Sequence, residues 1–121
     1  MTSLTISDIN ISQNDFVKLL NDEIRVLECN DCVNITEIPY LPNLAYLYCS
    51  NCPSLSKITR IPRIMVINCE NCTNLNELPT QLPRLTHLFC NGCINLSEIP
   101  ISSTLQVLNC SGTNINRTGP I

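Results

Sequence analysis

Four pairs of cysteines in CxxC spacing recur along the chain, Cys29 with Cys32, Cys49 with Cys52, Cys69 with Cys72 and Cys90 with Cys93, and Cys110 follows alone. Sixteen or seventeen residues separate one pair from the next. In an unrepetitive chain this spacing would signal a zinc or iron–sulfur site, since thiolates from two such pairs can complete a tetrahedral set of ligands. Disulfides are the other chemistry open to thiols held close together. The single histidine, His87, has no Ser, Asp or Cys placed to form a triad with it, so no enzyme is expected. As a metal ligand it would have only the distant Glu28 for company on its face.

The regularity of the pairs has a second source. From residue 24 the chain lies in register as IRVLECNDCVNITEIPYLPN, LAYLYCSNCPSLSKITRIPR, IMVINCENCTNLNELPTQLPR and LTHLFCNGCINLSEIPISST, with a fifth copy, LQVLNCSGTNINRTGPI, that breaks down after its first half. The units begin at Ile24, Leu44, Ile64, Leu85 and Leu105, a period of twenty with one extra residue in the third unit near Gln81. The consensus is LxxLxCxxCxxLxxIPxxP. Its first half reads as a short strand with one face buried, positions 1, 4 and 6 pointing inward. A unit this small cannot enclose a core alone, so successive strands must stack in parallel. The inward columns are then Ile24, Leu44, Ile64, Leu85, Leu105 and Leu27, Leu47, Ile67, Leu88, Leu108. Position 12, Ile35, Leu55, Leu75 and Leu96, begins the return side, where Pro39, Pro42, Pro62, Pro79, Pro83 and Pro100 predict extended or tight-turn backbone.

This repeat resembles the leucine-rich repeat family, whose core signature is LxxLxLxxN/C, over about four fifths of the chain. The short unit and its IPxxP half are similar to repeats of bacterial effectors; the CxxL continuation resembles cysteine-containing and plant resistance-type repeats, and those of giant DNA viruses of amoebae. The resemblance implies an α/β repeat fold, a leucine-rich-repeat solenoid with a parallel β-sheet on the concave face, an extended or turn convex side and a short N-terminal capping helix. It also implies a protein-binding role. The ubiquitin-ligase domain that often accompanies effector repeats has no counterpart here.

Within such a solenoid the thiols have a structural reading. Cys29, Cys49, Cys69, Cys90 and Cys110 fill position 6, which needs a small buried hydrophobe. Cys32, Cys52, Cys72 and Cys93 fill position 9, where the family places Asn or Cys, and Thr113 stands there in the last unit. The reading adopted is two reduced ladders, with no metal and no cofactor. The alternative, a zinc or iron–sulfur protein using the CxxC pairs, stays open at this stage. Disulfides are within reach of strands about 4.8 Å apart; the expected cytosolic location argues against them.

Residues 1–23 are expected to form an N-terminal cap. Ser12 and Asp15 fit a capping box, Ile11 and Phe16 a hydrophobic staple, and residues 13–22 a helix, preceded by an extended lead-in through Leu4, Ile6, Ile9 and Ile11. Residues 24–121 form the repeats, 24–43, 44–63, 64–84, 85–104 and the truncated 105–121, whose polar tail is a thin cap. A monomer, or a weak dimer through that exposed end, is expected.

The N-terminus shows no signal-peptide pattern and no run is long enough to span a bilayer, which predicts a cytoplasmic protein, in the host cytoplasm if the chain is viral. Seven Lys and Arg against ten Asp and Glu, scattered, leave no basic stripe for nucleic acid or an anionic membrane. A protein partner is the remaining class. It would meet outward positions 2, 3 and 5, which carry Arg25, Val26, Glu28; Ala45, Tyr46, Tyr48; Met65, Val66, Asn68; Thr86, His87, Phe89; and Gln106, Val107, Asn109. Core packing does not require aromatics there, so Tyr46, Tyr48, Met65, Asn68, His87 and Phe89 are the candidate contact residues. The convex acids Glu37, Glu77 and Glu98 share position 14 with Lys57 and read as a solubilising row.

Overall fold

The structure, a computed structural model, describes residues 2–115. The part of the final repeat and polar tail that falls in 116–121 lies outside the described residues. We number the coils by their repeats, coil 1 beginning at residue 24.

Each coil contributes a strand of three residues at its positions 3 to 5: β2 (Val26–Glu28), β4 (Tyr46–Tyr48), β6 (Val66–Asn68), β7 (His87–Phe89) and β8 (Val107–Asn109). They pair in parallel and in repeat register, Leu27 with Leu47, Leu47 with Ile67, Ile67 with Leu88 and Leu88 with Leu108. The ladder runs on past the strand ends, where each position-6 amide donates to the next coil, as in Cys29 N–H to Tyr48 O at 2.8 Å and Cys69 N–H to Phe89 O at 2.8 Å. Parallel pairing is enforced by the repeat, since a coil that returns to its start presents its strand in the same direction each time.

The sheet holds a sixth strand. β1 (Ser3–Thr5), expected only as an extended lead-in, pairs with β2 so that Leu4 faces Leu27. Ile6 thereby takes the place that Cys29 has in the next coil; it is buried, and its amide donates to Glu28 O at 2.8 Å. The first stretch of chain is thus a coil without thiols.

The single helix among the described residues, α1 (Gln13–Leu19), stands in the return path of that first coil. Ser12 Oγ accepts from Asp15 N–H at 3.1 Å and Phe16 is fully buried, which anchors the helix at its start and on its inner side. It ends before the predicted residue 22, because Leu20 has turned to extended backbone with ψ 148°.

The return side also departs from expectation. Rather than turns and extended backbone alone, it holds a second parallel pair, β3 (Glu37–Ile38) with β5 (Lys57–Ile58), continued by a bridge from Lys57 to Glu77. Coil 2 carries Thr59 where the other coils carry proline, and Thr59 donates both its amide and its hydroxyl to Ile38 O at 2.9 Å. With one seven-residue helix and two parallel sheets, the described residues form a parallel β-solenoid, not an α/β repeat. Its core is continuous: the expected Leu and Ile columns are fully buried through coil 4, and two further columns join them, Ile38, Ile58, Leu78 and Leu41, Ile61, Leu82.

Candidate functional site

The thiols are the chemically most loaded groups, and the fold separates them into two columns. Eight are fully buried and Cys110, in the last coil, is half-buried; all nine are free. Position-9 sulfurs face the carbonyl of the preceding coil: Cys52 Sγ donates to Cys29 O at 3.2 Å, Cys72 to Cys49 O at 3.0 Å and Cys93 to Cys69 O at 3.0 Å. Each such bond requires a protonated thiol. Burial pushes Cys29 and Cys32 upward, and Cys90 up to about 12, with neighbouring charges adding to the effect. Among the described residues no three His, Cys, Asp or Glu side chains are gathered where they could hold a metal ion. Position 6 lies in the strand column, while position 9 reaches back to the carbonyl of the coil before.

Two residues after each position-6 thiol lies a residue that the sequence reading passed over. Asp31, Asn51, Asn71, Gly92 and Gly112, all at position 8, have φ of 64°, 58°, 58°, 79° and 70°. This left-handed turn reverses the chain after the strand, and it explains why only Asp, Asn and Gly occur there. The carboxamides form their own row, Asn71 Nδ2 donating to Asn51 Oδ1 at 3.2 Å and Asn51 Nδ2 to Asp31 Oδ1 at 3.1 Å.

The outer face of the main sheet brings together most of the predicted contact residues. Register aligns Val26, Tyr46, Val66, His87 and Val107 in one column and Glu28, Tyr48, Asn68, Phe89 and Asn109 in the other. Tyr46, Tyr48, Asn68, His87 and Phe89 are all half-buried. The His87 and Phe89 rings lie 6.2 Å apart between centroids at 36°. Thr86 Oγ1 donates to Met65 O at 3.1 Å and lies 2.9 Å from His87 Nδ1, an arrangement that puts the ring proton on Nδ1 and leaves Nε2 as acceptor. Asn68 Oδ1 accepts from Ser50 Oγ at 2.8 Å, which braces the amide across two coils.

Position 2 behaves differently from the other two. Ala45 was expected outward and is buried, whereas Arg25 and Gln106 at the same position are exposed, since a single methyl does not reach out past its neighbours as a longer side chain does. Met65, also at position 2, is half-buried beside the columns rather than in them. One further polar group on this side is unusual: Asn91 Oδ1 is buried without a hydrogen-bond partner among the described residues. In coil 1 the corresponding Asn30 Oδ1 accepts Ser50 N–H at 2.8 Å, but Ser111 N–H is drawn to Asn109 Oδ1 at 3.2 Å and Asn91 is left without it.

The sequence reading also missed a cavity of about 810 Å³ on the return side, lined by coils 2, 3 and 4. Its signal in the sequence is the extra residue of the third unit near Gln81. No protein-family model, no curated protein and no solved structure matches this chain. No described helix is long and apolar enough to cross a membrane.

Proposed function

We propose that this protein is a non-enzymatic binding module of the leucine-rich-repeat kind that holds a protein partner on the outer face of its main sheet. One observation carries the reading: aromatic side chains from two coils, Tyr46 with Tyr48 and His87 with Phe89, flank Val66 and Asn68 in two aligned, half-exposed columns that the core does not use. Aromatic groups with a polar tip, set among Asn and Glu, have the composition of interface anchors. The backbone beneath them is held by parallel pairing on both sides, so little ordering entropy would be lost on docking.

In this reading the buried thiols are structural, and a reducing cytosol, that of the host if the chain is viral, is the compartment that suits them. Helix α1 serves as the cap of the stack, and the opposite end permits at most weak self-association. The test is quantitative capture from host cytosol by wild type and by Tyr46→Ala/Tyr48→Ala/Phe89→Ala, with thermal unfolding showing both folded. Loss of at least tenfold in a recovered partner is expected, as truncating a few anchors costs more than about 1.4 kcal/mol. Undiminished recovery of every partner moves the site off this face.

A further inference from the structure

The return-side ladder is interrupted where the repeat is one residue too long. Pairing continues from β3 through β5 to Glu77, with Ile58 N–H donating to Glu77 O at 3.1 Å, and resumes at Thr80 and Leu82, which bond Ile101 at 2.7 and 3.1 Å. Among the described residues no backbone bond joins Leu78 to Glu98 or Ile99, although the repeat aligns them as it aligns Ile38 with Ile58. The cavity of about 810 Å³ lies over this break, within the size range of ligand sites.

The side chains flanking the break specify what would fit it. Along position 14 the charges alternate as Glu37, Lys57 and Glu77, with Lys57 Nζ 3.2 Å from Glu77 Oε2, and then Glu98 follows Glu77 with no cation between them. Glu98 is exposed and has no ion pair among the described residues. Along position 15 the apolar column Ile38, Ile58, Leu78 meets Ile99, which is only half-buried, and Ile101 beside it is 70% exposed. An open strand edge offers main-chain hydrogen bonds to another extended chain.

We propose that the interruption between coils 3 and 4 is a second binding site, which takes an extended peptide carrying a basic residue followed by a β-branched apolar one. The basic side chain sits between Glu77 and Glu98 and restores the alternation; the apolar one rests against Leu78 and Ile99. The chain's own β5, with Lys57 followed by Ile58, is a copy of that occupant. The site is separate from the outer face of the main sheet and does not depend on it.

The probe is therefore a fluorescent peptide of the β5 sequence, Ser-Leu-Ser-Lys-Ile-Thr-Arg-Ile, titrated against the full chain and followed by anisotropy and by amide chemical shifts. Saturable binding is expected, with shifts centred on Leu78 and Ile99. A peptide with Glu in place of its Lys should bind roughly fivefold more weakly, the scale of one exposed ion pair. The charge swap Glu98→Lys should reverse that preference. Deleting Gln81 should close the ladder and abolish binding, and Tyr46→Ala/Tyr48→Ala/Phe89→Ala should leave it unchanged. Should the deletion variant fail to fold, the charge swap decides alone. Absence of saturable binding to wild type, a preference that Glu98→Lys does not alter, or shifts confined to the outer face of the main sheet each overturn the proposal.

Discussion

At the scale of single residues, the solenoid rests on the turn between the thiols. Gly92 shows how tightly that turn is specified: a Cβ built there would clash with Asn71 Oδ1, whereas one at Gly112 would meet the Gly92 backbone no nearer than 3.4 Å. Gly92→Ala should cost about 2 kcal/mol, from left-handed backbone plus the clash, and Gly112→Ala clearly less; equal midpoints in urea for the two variants would contradict this. The thiols give a pH prediction. Burial holds Cys29, Cys32 and Cys90 above the unfolded value of 9.0, so the stability these three contribute is complete below pH 9 and is lost as pH rises toward about 12, the value for Cys90. Each raised thiol adds a slope of about −1.4 kcal/mol per pH unit in that window. Thermal unfolding between pH 8 and 11 should show the decline, and Cys90→Ala should flatten it by one thiol's share. Position 6 was legible in the sequence because a buried sulfur is simply a small hydrophobe. Position 8 was not, since Asp, Asn and Gly share no polarity or size, only a tolerance for positive φ.

At the scale of elements, the strands were legible because Leu-x-x-Leu-x-Cys repeats with its inward side chains in phase. β1 escaped because the helix that follows it lengthens its coil, pairing Leu4 with a residue twenty-three positions on instead of twenty, and because Ile6 stands where the eye follows cysteine. The helix was read correctly at its start, where Ser12 declares itself, and carried too far at its end, where nothing in the side chains marks Leu20 as extended. Ser12→Ala should cost about 1 kcal/mol through loss of its bond to Asp15 N–H. Phe16→Ala should cost about 3 to 5 kcal/mol, because a fully buried ring leaves a cavity against the first coil. Circular dichroism melts rank the two, and a larger loss for Ser12→Ala would mean that α1 is held by its cap rather than by its packing. The return-side pair β3 with β5 was hidden by the prolines around it, which forbid amide donation only at their own positions and leave the preceding two residues able to pair.

At the scale of the whole molecule, each coil bonds only the coils beside it, and stability should grade along the stack. Leu105, Leu108 and Cys110 are half-buried where their counterparts in coils 1 to 4 are fully buried. Amide hydrogen exchange should therefore be slowest in β4 and β6 and fastest in β8; uniform protection from β2 to β8 would show a single cooperative unit instead. The architecture was legible from periodicity, whereas the cavity was not, because an insertion in a sequence does not say which of two neighbouring strands gives way. The thiol-to-carbonyl bonds from one coil to the one before have an evolutionary consequence. Coils 2, 3 and 4 each donate this thiol to the same acceptor in the coil before, so duplication or loss of one of them rejoins matching halves. The length of such a protein can then change in whole steps without redesign of what remains, and duplicating the twenty-one-residue unit alone would add a second return-side pocket.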